Sequence, residues 1–121
     1  MADREEDFTS ISQSLRDSLF YSTTNAIICE GDSLASMRRM PAASVSLILT
    51  DPPYHSTKKS NIYGDTSFSE DNQYLEWLEE YAVEWRRILR ANGTLFCFCS
   101  TEMSARLEVM LAKRFNHSCP K

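Results

Sequence analysis

Apolar positions along the 121-residue chain change period several times, and each change predicts an element. Phe8, Ile11, Leu15 and Leu19 recur at three- and four-residue steps, which predicts an amino-terminal amphipathic helix. Ala26 to Cys29 reads as a short strand ended by Glu30-Gly31-Asp32, and Ser33 to Met40 as a helix stopped by Pro41. Val45 to Thr50 is rich in leucine and β-branched residues, the pattern of a strand covered on both faces, and it breaks at Asp51. His55 to Asp71 has little periodicity and reads as a long loop. From Asn72 to Arg90, Leu75, Leu78, Ala82, Trp85 and Leu89 advance by three and four; Trp77 and Trp85 on this helix are read as packing residues. Acidic residues precede it and Arg86, Arg87 and Arg90 close it, as the helix dipole favours. Asn92-Gly93 predicts a turn, Thr94 to Cys99 a second apolar strand, and Met103, Leu107, Met110 and Leu111 a closing helix. Strands alternating with helices imply an α/β architecture with one core.

Composition narrows the classes. With 42% hydrophobic and 25% charged residues the chain is expected to fold. A net charge of -4 argues against a uniformly basic nucleic-acid binder, but Arg38-Arg39, Lys58-Lys59 and Arg86-Arg87-Arg90 leave room for a local one. The start MADREED lacks the apolar stretch of a signal peptide, and no run approaches the ~20 apolar residues of a membrane span, so no membrane partner and a cytoplasmic setting are expected. Cys29, Cys97, Cys99 and Cys119 form no CxxC pair; they read as reduced thiols, with Cys97 and Cys99 buried on one strand face and no metal expected.

Candidate chemistry concentrates where the central strand ends, in Asp51-Pro52-Pro53-Tyr54. Two prolines hold the backbone extended and donate no hydrogen bond, so they keep a carboxylate, carbonyl oxygens and an aromatic ring in one fixed relation. The carboxyl end of a strand is where open α/β sheets place their ligands. Asp51 as a turn residue and Tyr54 as surface packing is the plainer alternative for an isolated Asp-Pro-Pro-Tyr.

The context of that motif is more specific. "EGDSL", the approach "MPAASVSLILTDPPY", and the following "YLEWLEEYAVEWRRILRANGTLFCFCS" in register resemble the amino-group DNA methyltransferases, in the permuted order of their beta class. The resemblance covers about Asn25 to Phe115. It implies a Rossmann-like S-adenosylmethionine-dependent methyltransferase fold, here incomplete, with about three strands and flanking helices. Residues 25–121 would be a partial catalytic domain and residues 1–24 a helical extension.

It also implies roles. An exocyclic amino group is a weak nucleophile because its lone pair is delocalised into the base, so acceptors must bind its hydrogens as charge develops. Asp51 and the Pro52 carbonyl would supply them, with Pro53 completing the rigid turn and Tyr54 stacking on a flipped-out base. Asp32 and Asp51 would contact S-adenosylmethionine, and a helix-capping role for Asp32 stays equally open. His55, Lys58, Lys59 and Asn61, with Tyr54, would contact DNA. Aspartate at the head of the motif resembles adenine-N6 enzymes more than cytosine-N4 enzymes.

The resemblance also shows what is lacking. The family's glycine-rich cofactor loop has no counterpart, because Gly31, Gly64 and Gly93 are scattered. The tail "FNHSCPK" departs from the family where another apolar strand is expected. The chain is therefore expected to be a truncated adenine-specific methyltransferase or an inactive remnant. Its partners would be DNA and either a second copy or a complementing methyltransferase half. The strands ending at Cys29 and Thr50 are not expected to be neighbours in a complete enzyme, so the isolated chain would either pair them directly or self-associate.

Overall fold

The computed structural model describes residues 2–55 and 71–115. In chain order it contains helix α1 (Ala2–Ser14), a 3-10 turn (Arg16–Ser18), strands β1 (Leu19–Ser22) and β2 (Ile27–Cys29), helix α2 (Ser33–Arg39), strand β3 (Val45–Thr50), helix α3 (Asp71–Ile88), strand β4 (Leu89–Cys97) and helix α4 (Ser104–Ala112). Helices and strands alternate from β2 onward, as the pattern predicts.

The amino-terminal helix is shorter than its apolar spacing suggests. Leu15 is buried, but the chain leaves the helix after Ser14 and Leu19 opens a strand. Leu19-Phe20-Tyr21 suits a pleated surface, and antiparallel pairing with Ile27–Cys29 decides the outcome. The Thr23 amide bonds the Ala26 carbonyl at 2.8 Å to close the hairpin. Cys29, the partner of Leu19 ten residues away, is invisible to a period-counting rule.

Strands β3 and β4 pair in parallel, with Leu47 opposite Thr94 and Thr50 opposite Cys97. The register slips between Val45 and Leu47, where β4 moves from Leu89 to Thr94. The expected Asn92-Gly93 turn is thus a bulge inside β4. Gly93 is required there, since an added Cβ would lie 2.6 Å from Leu89 Cδ1 and 3.0 Å from the Arg90 carbonyl. The two strand pairs form separate two-stranded sheets, so β2 does not pair with β3, and among the described residues there are four strands where about three were expected.

Helix α3 makes the core. Tyr74, Leu78, Ala82 and Trp85 meet Met103, Leu107 and Met110 of the α4 region, and Ile48, Leu95, Cys97 and Cys99 pack on this cluster from one face of the β3–β4 sheet. On the other face no described element packs: Leu47, Leu49, Phe96 and Phe98 are 57%, 66%, 55% and 54% exposed. The expectation that β3 is covered on both faces fails for the described residues, because α3 and α4 lie on the same side. Arg87 joins α3 to α2 by donating to the Met37 and Met40 carbonyls at 2.6 and 2.8 Å while pairing with Glu84, which satisfies acceptors at the end of α2.

A candidate methyl-acceptor corner and the family it belongs to

At the carboxyl end of β3 the Phe98 amide bonds the Thr50 carbonyl at 3.0 Å, the last rung before the prolines. Asp51 beyond it is exposed, Pro52 and Pro53 are half-buried, and Tyr54 is 36% exposed. Partial burial raises the Tyr54 hydroxyl above the usual phenol range, and the nearby Asp51, Cys99 and Cys97 raise it further. The ends of two parallel strands thus bring Asp51, Tyr54, Cys97 and Cys99 together. Burial pushes the Cys97 thiol up to about 11, with Cys99 and Asp51 adding to the shift. At neutral pH it is a protonated thiol and not a nucleophile.

His55 lies elsewhere than its expected role as a DNA contact would place it. It is 4% exposed, its ring stacks on Tyr74 with centroids 5.3 Å apart, and its Nε2 lies 2.9 Å from Asp71 Oδ1. The other Asp71 oxygen pairs with Arg106 of α4. His55 and Asp71 thus meet although they are 16 positions apart in the chain. Lys58, Lys59 and Asn61 lie outside the described residues.

Asp32 caps α2, its carboxylate accepting from the Leu34 and Ala35 amides at 3.3 and 3.2 Å. The turn that delivers it contains Gly31 at φ 138, a conformation that favours glycine. The Tyr81 hydroxyl is raised by burial and then by the Asp32 carboxylate, with a hydrogen bond to Ser33 opposing the shift. Helix α3 therefore serves both corners. Tyr74 supports the Asp51–Tyr54 turn and Tyr81 stands beside Asp32, seven residues or about 10 Å further along the helix axis. The rings of Tyr74, Trp77, Tyr81 and Trp85 run between and beyond them, with neighbouring centroids 5.8, 4.9 and 6.2 Å apart. Sequence reasoning missed Tyr74 and Tyr81; their spacing on the apolar stripe was the available signal.

The basic clusters are partly occupied within the molecule. Arg38 pairs with Glu80, Arg90 with Asp7, and Arg39 bonds Ser18 and Ser36. No group of His, Cys, Asp and Glu suited to a metal ion occurs among the described residues, nor does any helix there that is long and apolar enough to cross a membrane.

Residues 45–119, which contain this corner, match the DNA methylase family model for N6 and N4 amino groups. The chain belongs to that family. It is 34% identical over 88 residues to the DNA adenine methyltransferase YhdJ of Escherichia coli K12, a match covering 73% of this chain and 29% of YhdJ. It is 34% identical over 73 residues to the Type II methyltransferase M.HpaI of Haemophilus parainfluenzae (60% of this chain, 22% of the relative), and 31% identical over 74 residues to M.PvuII of Proteus hauseri (61% and 21%). The chain spans less than a third of the length of these relatives. As a DNA methylase family, it implies S-adenosylmethionine as methyl donor.

The capping and cofactor readings of Asp32 separate by substitution. Asp32→Asn keeps a capping oxygen, so thermal stability should stay near wild type, whereas Asp32→Ala should cost roughly 0.5–2 kcal/mol. Only a cofactor role makes Asp32→Asn weaken S-adenosylmethionine binding, read by calorimetry in the assembled enzyme described below.

Proposed function

We propose that this chain carries the methyl-acceptor corner of a site-specific adenine-N6 DNA methyltransferase. The observation that carries the reading is Asp51-Pro52-Pro53-Tyr54 held outside the carboxyl end of a parallel strand pair, with the Asp51 carboxylate exposed beside the Tyr54 hydroxyl. The Asp51 carboxylate and the Pro52 carbonyl accept the two hydrogens of the adenine amino group. That draws the nitrogen towards tetrahedral geometry and stabilises positive charge that develops only in the transition state. Pro53 keeps the turn rigid and Tyr54 stacks on the base. Lys58, Lys59 and Asn61 are proposed to meet the DNA backbone and the vacated base position.

S-adenosylmethionine supplies an electrophilic methyl group on a sulfonium. The donor set fits its polar end: Asp51 is an exposed carboxylate, and Asp32 a second one on the α2 turn. Among the described residues it does not include a glycine cradle. We therefore propose that residues 25–121 form part of a catalytic domain and residues 1–24 an extension that adds β1 to it, and that turnover needs a complementing methyltransferase half. The bare β3–β4 face is the surface that half would cover, since parallel sheets are buried on both faces.

The test combines the 121-residue chain with a polypeptide carrying the part of YhdJ outside the matched segment, supplies S-adenosylmethionine and DNA, and identifies the modified nucleoside. N6-methyladenine is expected from the mixture and nothing from the chain alone. N4-methylcytosine as sole product overturns the choice of base, and methylation by the chain unaided overturns the need for a complement.

A further inference from the structure

The turn that presents Asp51 and Tyr54 is held from beneath by groups that touch neither expected substrate. Tyr74 is 1% exposed and its hydroxyl donates to the Pro53 carbonyl at 2.9 Å. Its ring lies nearly parallel to that of His55, at 21°, and His55 is anchored through Asp71 to Arg106. Ser100 Oγ, beyond the end of β4, donates to the His55 carbonyl at 3.5 Å. With Phe98 on the Thr50 carbonyl, the chain from Thr50 to His55 is therefore gripped at Thr50, Pro53 and His55. Asp51, Pro52 and Tyr54 lie between those points.

Proline explains why a carbonyl is the handle. Pro52 and Pro53 offer no amide hydrogen, so a hydrogen bond made by either proline's own backbone must go through its carbonyl. Successive carbonyls of an extended, proline-restricted chain point in different directions. Drawing the Pro53 carbonyl inward to Tyr74 fixes the Pro53–Tyr54 peptide plane, from which the Tyr54 backbone continues, and so constrains the direction left to the Pro52 carbonyl.

We infer that Tyr74, braced by the His55–Asp71–Arg106 chain, is a positioning residue that aims the Pro52 acceptor and the Tyr54 ring by holding the Pro53 carbonyl. This rests on the methyltransferase reading above for its catalytic consequence, but the clamp itself is testable without turnover.

The first measurement is the carbon-13 signal of the Pro53 carbonyl and the ring signals of Tyr54 in the 121-residue chain, kept monomeric by Leu49→Lys with Phe96→Lys on the opposite sheet face. Tyr74→Phe removes one oxygen and keeps the ring stack. It should move the Pro53 carbonyl towards its unbonded position and shift Tyr54, with core signals of Leu78 and Leu107 in place. Asp71→Asn should move the same signals less, and Leu107→Val, which lowers stability elsewhere in the core, should leave them unmoved.

In the enzyme assembled with the YhdJ remainder, Tyr74→Phe should lower kcat on the order of tenfold with KM for DNA nearly unchanged, the effect of a misaimed acceptor. Wild-type Pro53 and Tyr54 signals in Tyr74→Phe overturn the clamp, and an unchanged kcat in the assembled enzyme overturns its role in aiming the acceptor. If the wild-type assembly does not methylate, the functional reading falls, and the carbonyl signal alone decides whether Tyr74 holds the turn.

Discussion

Asp51→Ala should lower kcat of the assembled methyltransferase by on the order of a hundredfold or more while S-adenosylmethionine binding changes far less. Asp51 is exposed at the end of β3, so its removal leaves no buried group unpaired and opens no core cavity. The loss therefore falls on the transition state. The carboxylate is the one ionised acceptor of the Asp-Pro-Pro-Tyr turn, and the amino nitrogen becomes positive only as the methyl group arrives. Asp51→Asn keeps a carbonyl acceptor without the charge and should fall between wild type and Asp51→Ala. Tyr54→Ala should instead weaken the hold on the flipped base, by roughly 1–3 kcal/mol. Single-turnover transfer of a labelled methyl group reads all three, and wild-type turnover in Asp51→Ala would remove the mechanism.

The isolated chain should self-associate in the micromolar range, and charge placed on the β3–β4 face should abolish this. Leu47 and Leu49 of β3 and Phe96 of β4 occupy alternate positions on two adjacent strands, and Phe98 continues the row just past β4, so their exposed side chains line one face. Each is little more than half exposed, so covering the rest is worth roughly 1–2 kcal/mol apiece, and contiguous apolar surface of this kind marks an interface. The hairpin adds Phe20 at 71%, Tyr21 at 58% and Ile28 at 55% exposure. Since β2 and β3 are unpaired with each other, the direct closure considered from the sequence does not relieve these edges, and an open edge templates association. Light scattering over a concentration series should show mass rising with concentration for the wild-type chain. Leu49→Lys combined with Phe96→Lys should hold it at 13.9 kDa. A wild-type chain that stays monomeric at every concentration would defeat the prediction.

Much of the fold was legible because its signals are local. The stripe of Leu78, Ala82 and Trp85 names the buried face of α3, and Val45 to Thr50 coincides with β3. The Asp32 cap follows from a short acceptor ahead of a helical run. The acid, prolines and tyrosine of the candidate corner stand side by side in the chain, so their proximity needed no fold. By itself, then, the sequence determined where backbone hydrogen bonds close within a helix, where a strand must stop, and which residues form the Asp51–Tyr54 turn.

Tertiary structure decided what depends on partners distant in the chain. Leu19 belongs to a strand because Cys29 is opposite it, and Asn92-Gly93 lies in a bulge because β4 must stay in register with β3. His55 is an interior residue because Asp71 and Tyr74, 16 and 19 positions later, close over it. The alternation of Leu47, Ile48 and Leu49 says that the strand has two apolar faces, but α3 and α4 determine which one is covered. Periodicity records the faces of an element, whereas burial depends on which elements the chain brings against them.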